Sequence, residues 1–518
     1  MKTDDLKTLN LDQELFEKGL MAHQKGNLDV AQAIYETILK DNPTHSESCH
    51  FLGVVYYQKS QIDKALAYME QAIKLNKKNP VFYNNICDLY IIKDDLKSAE
   101  KCARTAIKLK KKYKDPYIQL GVVLSRKKQY ISAATCYRQA LKIDPYFAKA
   151  HNNLGNVLRE IGQEDKALEH YLKAQDSNPH FIQALNNIGL WYADHGETHK
   201  AMSYYQQAID LQPEFSASHI NLSMAQLLLG NFEEGWEEYE WRFKTIDNKF
   251  KQPSWDGTDF SDQTLLIHTE QGLGDTIQFF RYLPMVQEKG GKIIFQCQKS
   301  LHPLLQDYKY FDQIITEEDQ AEDFHLHCSL LSLPRIFGTD IDNIPSQKSY
   351  INIKKHSQKL PPAANSTKLK VGIVWAGNPD HRNDTYRSMR VKDLQDILKL
   401  DDITFYSLQK NLPEDEKNNI FSENFIDCRN IISDFHDTAS LIDQCDLIIS
   451  VDTSVAHVAG AMGKETLLML PLSTDWRWML NREDTPWYPS ITLFRQETLG
   501  DWQPVIQKIY QKLRKRKN

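Results

Sequence analysis

The sequence predicts an all-α helical-repeat array followed by two α/β lobes. Small residues recur every 34 positions through the first half of the chain, as expected for stacked helix pairs. Beyond residue 249, short apolar strands alternate with helix-like segments, which predicts parallel sheets covered by helices. A proline-containing break, KLPPAANSTK at 359–368, divides this second half into two parts of the same kind.

Bulk properties narrow the class of protein. A chain of 518 residues is too long for one core, so several domains are expected. The formal net charge of −6 gives no reason to expect nucleic acid as the main partner. The N-terminus lacks the apolar segment of a secretory signal, and no run of about 18 apolar residues occurs, so we expect a cytoplasmic protein without a membrane span. The HLHC segment at 325–328 lacks further ligands at suitable spacing, so no metal site is expected.

Seven 34-residue units are predicted between residues 12 and 249. One column of small residues comprises Gly19, Gly53, Cys87, Gly121, Gly155, Gly189 and Ser223. A second column, twelve positions further on, comprises Ala31, Ala65, Ala99, Ala133, Ala167, Ala201 and Gly235. Small residues let the two helices of a unit approach closely. The unit-ending prolines Pro43, Pro145, Pro179 and Pro213 stop one helix and start the next, while Lys77 and Lys111 replace proline in two units. The pattern closely resembles the tetratricopeptide repeat, which implies a right-handed superhelix with a concave binding face.

A column of carboxamide side chains stands two positions before the small residues. Its members are Asn85, Gln119, Asn153, Asn187 and Asn221, whereas the first two units carry Glu17 and Phe51. A carboxamide donates and accepts hydrogen bonds, so the column could hold the backbone of an acceptor peptide. Alternatively, these side chains are solvated or tie one helix to the next. The repeats also resemble those of protein O-linked N-acetylglucosamine transferases, whose asparagine ladder favours the peptide-binding interpretation.

The second half is predicted to contain a linker at 250–263, a first lobe at 264–360 and a second lobe at 368–518. Two such lobes place a crevice at the carboxyl ends of their strands, where nucleotide-linked ligands bind. The resemblance is carried by EQGLGDTIQF, GIVWAGNPDHRNDTYRS, SVDTSVAHVAGAMG and DWRWMLNREDTPWYPS. These segments resemble heptosyltransferase-like (family 9 type) glycosyltransferases. The resemblance implies a GT-B fold of two Rossmann-like lobes, with the acceptor on the first and the nucleotide-sugar donor on the second.

Asp275 follows the glycine corner formed by Gly272 and Gly274. Glycines there would allow a sharp turn from strand to helix. Asp275 either caps that helix or acts as the general base that takes the proton of an acceptor hydroxyl. In heptosyltransferases the Asp of this Gly-Asp corner is the proposed base, which favours the catalytic interpretation. A phosphate cradle is not favoured, because the segment lacks both the Walker lysine and a GxGxxG pattern.

Polar residues at the ends of second-lobe strands are the candidates for donor binding. Asp452, Thr453 and Ser454 open a helix whose free N–H groups attract anions, and His457 lies in its first turn. His457 could instead be a packed helix residue.

Arginines of the loop NPDHRNDTYRSMR are permanently charged donors for phosphate oxygens. They are Arg382, Arg387 and Arg390, of which we expect Arg387 to face the crevice. Gln409 and Lys410 follow another strand and could touch the nucleotide. All three arginines could instead be ordinary surface residues.

The combined expectation is a metal-independent glycosyltransferase with no cofactor beyond its nucleotide-sugar co-substrate. It would move the sugar to a protein or peptide acceptor captured on the concave face of the repeats. Two alternatives stay open. One is a non-catalytic repeat scaffold with a degenerate transferase domain, and the other is a transferase acting on a lipid-linked glycan.

Overall fold

The computed structural model describes residues 3–245, 250–321, 323–345, 348–363, 368–380, 384–411, 416 and 424–516. The chain divides into two compact units, Met1–Ile188 and Gly189–Asn518. Within the described residues, no helix is both long enough and apolar enough to cross a membrane.

The described part of the N-terminal half forms seven helix pairs. Their bounds are α1 Thr3–Gln24, α2 Leu28–Asp41, α3 Ser46–Gln58, α4 Ile62–Leu75, α5 Pro80–Ile92, α6 Leu96–Leu109, α7 Asp115–Arg126, α8 Tyr130–Ile143, α9 Ala148–Glu160, α10 Glu164–Ser177, α11 Ile182–Asp194, α12 Thr198–Leu211, α13 Ser216–Leu229 and α14 Phe232–Tyr239. The pairing follows the 34-residue period of the sequence.

Glycines in the first small-residue column permit close helix pairing. A Cβ on Gly155 would lie 2.5 Å from Cε1 of Tyr171, and one on Gly121 would lie 2.3 Å from Cε1 of Tyr137. Both tyrosine side chains are buried. The glycine therefore leaves the space into which a ring from the second helix of the pair inserts, and a larger residue would force the two helices apart.

A four-stranded parallel sheet begins after the repeats. Its strands are β1 Thr264–His268, β2 Lys292–Cys297, β3 Gln313–Thr316 and β4 Leu326–Ser329, in the order β3-β2-β1-β4. The helices between and after them are α15 Leu273–Phe279, α16 Leu283–Gln287, α17 His302–Leu305 and α18 Leu333–Ile336. The strand order reverses between β1 and β4, and ligand sites form outside the carboxyl ends of strands at such a point.

A six-stranded parallel sheet follows. Its strands are β5 Leu369–Val374, β6 Ile403–Ser407, β7 Phe425–Asp427, β8 Leu447–Val451, β9 Thr466–Leu470 and β10 Ile491–Arg495, in the order β10-β9-β8-β5-β6-β7. Its helices are α19 Asp384–Arg387, α20 Gln395–Leu398, α21 Phe435–Gln444, α22 Ser454–Ala461 and α23 Gln503–Lys515. The order is that of a doubly wound α/β sheet, with its switch point between β5 and β8.

The last repeat packs against the α/β part within the second unit. The indole Nε1 of Trp236, on α14, donates a hydrogen bond of 2.9 Å to the Thr339 carbonyl. Its ring lies edge-on to Trp476, with 5.2 Å between centroids, and Trp476 in turn packs edge-on against Trp487 at 5.6 Å. All three tryptophans are buried, so they fill the core of this unit.

Candidate functional site

The β1–α15 corner brings α15 against α22, the helix that follows β8 of the second sheet. Gly272 has ordinary extended angles (φ −69°, ψ 164°), so its conformation does not require glycine. Gly274 is required for a different reason: a Cβ there would lie 2.6 Å from Cδ2 of His457. The second glycine of the corner thus serves helix packing rather than a left-handed turn.

Asp275 is engaged through both carboxylate oxygens. Its Oδ2 accepts a hydrogen bond of 2.8 Å from the Gly272 backbone N–H, which satisfies a free donor at the start of α15. Its Oδ1 forms an ion pair with the guanidinium of Arg477, in the 3-10 turn Trp476–Trp478 after β9. The side chain therefore has a capping contact and also joins elements of the two sheets.

Arg477 is the centre of this charged network. Its guanidinium also bonds to Gln278 and, at 3.0 Å, to Asp475. Only 8% of its side chain is exposed. Burial by itself lowers the pKa of Arg477, but Asp475 and Asp275 raise it above the ordinary value. Arg477 stays charged, and the carboxylates beside it are held in fixed positions.

Arg387 lies at the switch point of the second sheet. Its Nη1 donates a hydrogen bond of 3.2 Å to the backbone carbonyl of Asp452, directly after β8. The loop after β5 packs closely against the same guanidinium: a Cβ on Gly377 would lie only 2.5 Å from Nη2 of Arg387. Arg387 also pairs with Asp384 at 3.2 Å. A permanent positive charge therefore sits between the carboxyl ends of β5 and β8.

Asp452 carries a carboxyl group with a raised pKa. Burial and then the charge of Asp475 raise its pKa from 3.8 to about 6, against the opposing effect of Arg387 and Arg477. The carboxyl group is desolvated, although the residue as a whole keeps some exposure to solvent. A carboxyl group that titrates near neutral pH at a strand end is a candidate for acid–base or ligand-binding chemistry.

The residues that follow Asp452, at the N-cap of α22 and within it, differ in environment. Thr453 and Ser454 are partly exposed, and the Thr453 hydroxyl lies 3.2 Å from Ser450 Oγ. His457 is buried, with its Nδ1 2.8 Å from the Tyr488 hydroxyl. Burial, with Arg477 and Arg281 nearby, holds the pKa of His457 well below its usual value, so the imidazole is neutral.

Gln409 and Lys410 make internal contacts. The Gln409 side-chain oxygen accepts hydrogen bonds from the backbone N–H groups of Trp375 (3.2 Å) and Ala376 (3.0 Å), which fixes the start of the loop after β5. Lys410 Nζ donates to the Ile432 carbonyl. Both side chains thus hold neighbouring backbone segments in place at the carboxyl end of the sheet.

The other two loop arginines lie elsewhere. Arg390 is about half exposed and lies 3.5 Å from Glu416. Arg382 lies outside the described residues.

The carboxamide column makes contacts between neighbouring repeats of the first unit. The individual hydrogen bonds are Asn85 to His50 Nε2 (3.1 Å), Gln119 to Asp88 (2.9 Å), and Asn187 to Asn152 (2.8 Å) and Asn156 (3.1 Å). Asn153 accepts a long hydrogen bond, 3.5 Å, from its neighbour Asn152. In the second unit, Asn221 is partly buried. Several column members thus link first helices of successive repeats.

Residue-by-residue reading of the sequence missed Arg477 and Asp475. Their signal was present: Asp475 and Arg477 flank Trp476, five and seven residues after the end of the buried strand β9. Polar residues just beyond the carboxyl end of a buried parallel strand are candidates for a site. In the HLHC segment, His327 Nδ1 lies 3.4 Å from His268 Nε2, and Cys328 is buried. Among the described residues, no group of three or more His, Cys, Asp or Glu side chains is placed to hold a metal ion.

Comparison with known proteins identifies the repeats. Models described as tetratricopeptide repeat match residues 46–79 and 146–214, and one described as TPR repeat matches 124–162. Together with the helix pairs, these matches establish tetratricopeptide repeats in the N-terminal half. Such repeats support a protein-binding scaffold. The C-terminal part is an α/β region of parallel sheets with helices.

One curated relative is Protein FlbA of Caulobacter vibrioides. It is 25% identical over 327 residues, which are 56% of this chain and 53% of the relative. The chain thus spans about half the length of that relative.

Solved structures with similar repeats include a tetratricopeptide repeat protein from Parabacteroides merdae and the MamA protein. The first is 15% identical with a TM-score of 0.40, covering 46% of this chain and 94% of its own. MamA is 23% identical with a TM-score of 0.29, covering 32% of this chain and 92% of its own.

Proposed function

We propose that the protein is a metal-independent glycosyltransferase of GT-B type, which moves a sugar from a nucleotide sugar to a protein held by the repeats. One observation carries the proposal. Charged groups at the strand ends of both sheets form one network, in which Asp275 of the first sheet meets Arg477 of the second. Charged groups clustered beyond the carboxyl ends of parallel strands are typical of nucleotide-linked chemistry.

On the acceptor side, Asp275 would act as the general base. The acceptor hydroxyl oxygen attacks the anomeric carbon, the bond from that carbon to the diphosphate breaks, and the hydroxyl proton passes to the carboxylate. A carboxylate oxygen can accept more than one hydrogen bond, so an acceptor hydroxyl would approach Asp275 alongside the contacts with Gly272 and Arg477. Arg477 would hold the carboxylate in one orientation.

On the donor side, Arg387 and the N-terminus of α22 would bind the diphosphate. The leaving nucleoside diphosphate gains negative charge during transfer, and a fixed guanidinium beside free N–H groups stabilises that charge. Asp452 would oppose an anion when ionised. With its pKa raised to about 6, the carboxyl group carries its proton part of the time near neutral pH.

A panel of nucleotide sugars tests the proposal by thermal unfolding. A donor that binds only the folded chain raises the melting temperature. We expect at least one sugar nucleotide to do so, and Arg387→Ala to abolish the gain. Arg514→Ala is the matched control, because it removes an exposed arginine of α23. Sugar transfer to an acceptor protein should persist in the presence of a chelator. Absence of both stabilisation and transfer across the panel would refute the proposal.

A non-catalytic scaffold is the second candidate. Both oxygens of Asp275 are already engaged, and Gln409 and Lys410 serve internal contacts, as expected if the network only joins α15 to the turn after β9. A scaffold would bind its partner protein with the same affinity whether or not a nucleotide sugar is present. It would show no donor-dependent stabilisation in the panel.

A further inference from the structure

Positive charge is concentrated in one segment of the first unit. Residues 96–143 contain thirteen Lys or Arg residues and only two acidic residues, Glu100 and Asp115. This is a net charge of +11 in a chain whose formal net charge is −6. The segment corresponds to α6, α7 and α8. The segment is strongly positive whereas the whole chain is negative, which favours binding of a negatively charged partner.

The cations are organised along one face of α6. Lys97, Lys101, Arg104 and Lys108 follow one another at spacings of four, three and four residues, which places them on a single stripe of the helix. All four are exposed. Glu100 is the one acidic residue of α6, and it is neutralised by Arg104 at 2.8 Å and Lys127 at 2.6 Å. The three lysines of the stripe form no ion pair within the described part of the chain.

Two adjoining recesses follow this stripe, each of about 470 Å³. The first is lined by Lys97, Glu100, Lys101, Arg104, Thr105, Lys108 and Lys127. The second continues from Arg104 and Lys108 into the groove between α6, α7 and α8, where Ile107, Leu120 and Cys136 provide an apolar floor. Thr135 and Gln139 add neutral hydrogen-bonding groups at its edge. Cations therefore border a shallow, open groove with an apolar floor.

We propose that this groove binds an acidic peptide segment of a partner protein. Carboxylates of the segment would pair with Lys101, Arg104 and Lys108, and an apolar side chain between them would enter the recess over Ile107 and Leu120. The apolar floor favours a peptide over a nucleic acid, whose backbone would use the cations but leave that floor uncovered. The groove lies on α6, α7 and α8 of the first unit, so the inference does not depend on glycosyl transfer.

Fluorescence anisotropy with a defined probe tests this inference on the full chain. The probe is a fluorescein-labelled peptide of alternating Glu and Asp with one central Leu. We expect binding that weakens as salt rises, because exposed charge pairs are screened. A peptide with Gln and Asn in place of Glu and Asp should not bind. Replacing the central Leu by Ser should weaken binding, since the apolar floor would lose its contact.

A charge-reversal pair identifies the site. Lys101→Glu with Lys108→Glu should raise the dissociation constant about tenfold or more, because repulsion replaces two attractions. The control is Lys40→Glu with Lys74→Glu, which changes the net charge of the chain by the same amount. Both lysines are exposed, and they occupy the position of Lys108 in the two preceding repeats. Equal binding by both double variants would overturn the inference. Tighter binding of oligothymidylate than of the acidic peptide would also overturn it, in favour of a nucleic-acid site.

Discussion

Gly274 and His457 are in direct contact across the two helices that face each other at the candidate site. A Cβ on Gly274 would lie 2.6 Å from Cδ2 of His457 and 3.2 Å from its Nε2. The imidazole has little freedom to move away, because it is buried and its Nδ1 lies 2.8 Å from the Tyr488 hydroxyl. The absence of a side chain at position 274 therefore sets how closely α15 approaches α22, and with it the position of Asp275.

Gly274→Ala should destabilise the second unit by about 1–3 kcal/mol, the usual effect of overpacking a buried contact. The added methyl group must push the imidazole or the start of α15 aside. Urea unfolding measures the loss. The double variant Gly274→Ala with His457→Ala is the control, because the smaller residue at 457 leaves room for the methyl group. Its loss should be smaller than the sum of the two single losses, and strict additivity would show that the contact is not the cause.

Asp275→Asn should lower both stability and turnover. Removing one charge of a buried ion pair typically costs about 3–5 kcal/mol. Arg477 keeps Asp475 as a partner, so we expect a smaller loss of about 1–3 kcal/mol. If Asp275 is the base, sugar transfer should fall on the order of 10²–10⁴-fold, because an amide does not accept the proton.

Asp275→Ala separates capping from catalysis. Both variants lose the ion pair, but Asn can still accept the Gly272 N–H, so Ala should be less stable than Asn by about 1 kcal/mol. Transfer rates should be equally low in the two variants. If a folded Asp275→Asn protein turns over at the wild-type rate, Asp275 is not the general base and its role is structural.

The sequence predicts those features of the fold that depend on residues close together in the chain, and it does not predict contacts between distant residues. The 34-residue period predicts the helix pairs because each pair is made within one repeat. Alternating strands and helices predict parallel sheets for the same local reason. The pairing of Asp275 with Arg477 joins positions 202 residues apart, and nothing in either neighbourhood specifies it. The sequence predicts a turn role for Gly274, whereas its packing against His457 is visible only in three dimensions.

Asp452 should make stability depend on pH. Its pKa is about 6 in the folded chain and 3.8 as the ordinary value. Between these values the unfolded chain has lost the proton while the folded chain retains it, so the free energy of unfolding falls as pH rises from 3.8 to 6. Asp452→Asn removes this effect. The variant should gain stability relative to wild type as pH rises through this window, and the difference should be constant above it.

Urea unfolding of both proteins across that pH window measures the difference directly. Titrating groups remote from Asp452 cancel when the variant is subtracted from wild type. A difference that stays flat from pH 4 to pH 7 would show that the carboxyl group has an ordinary pKa. In the glycosyltransferase proposal, binding of a nucleoside diphosphate should also strengthen as pH falls through 6, because the protonated carboxyl group no longer repels the anion.

The carboxamide column should separate into structural and binding members. Asn187 donates to both Asn152 and Asn156, so Asn187→Ala should destabilise the repeats by about 1 kcal/mol, the net value of such hydrogen bonds. Within the described part of the chain, the hydrogen bond seen for Asn153 is the long one from Asn152, so Asn153→Ala should change stability by less than about 0.5 kcal/mol. Thermal unfolding measures both.

Binding of the acceptor protein should respond to Asn153→Ala even though stability does not. If the column holds a peptide backbone, Asn153→Ala should weaken binding of the acceptor protein about threefold to tenfold, the value of one lost hydrogen bond, while the melting temperature stays close to wild type. Gln183→Ala is the matched control, since it removes an exposed carboxamide from α11. Calorimetry of acceptor binding with both variants decides the role of the column. Unchanged affinity in Asn153→Ala, together with a lowered melting temperature in Asn187→Ala, would leave the column with the function of joining successive repeats.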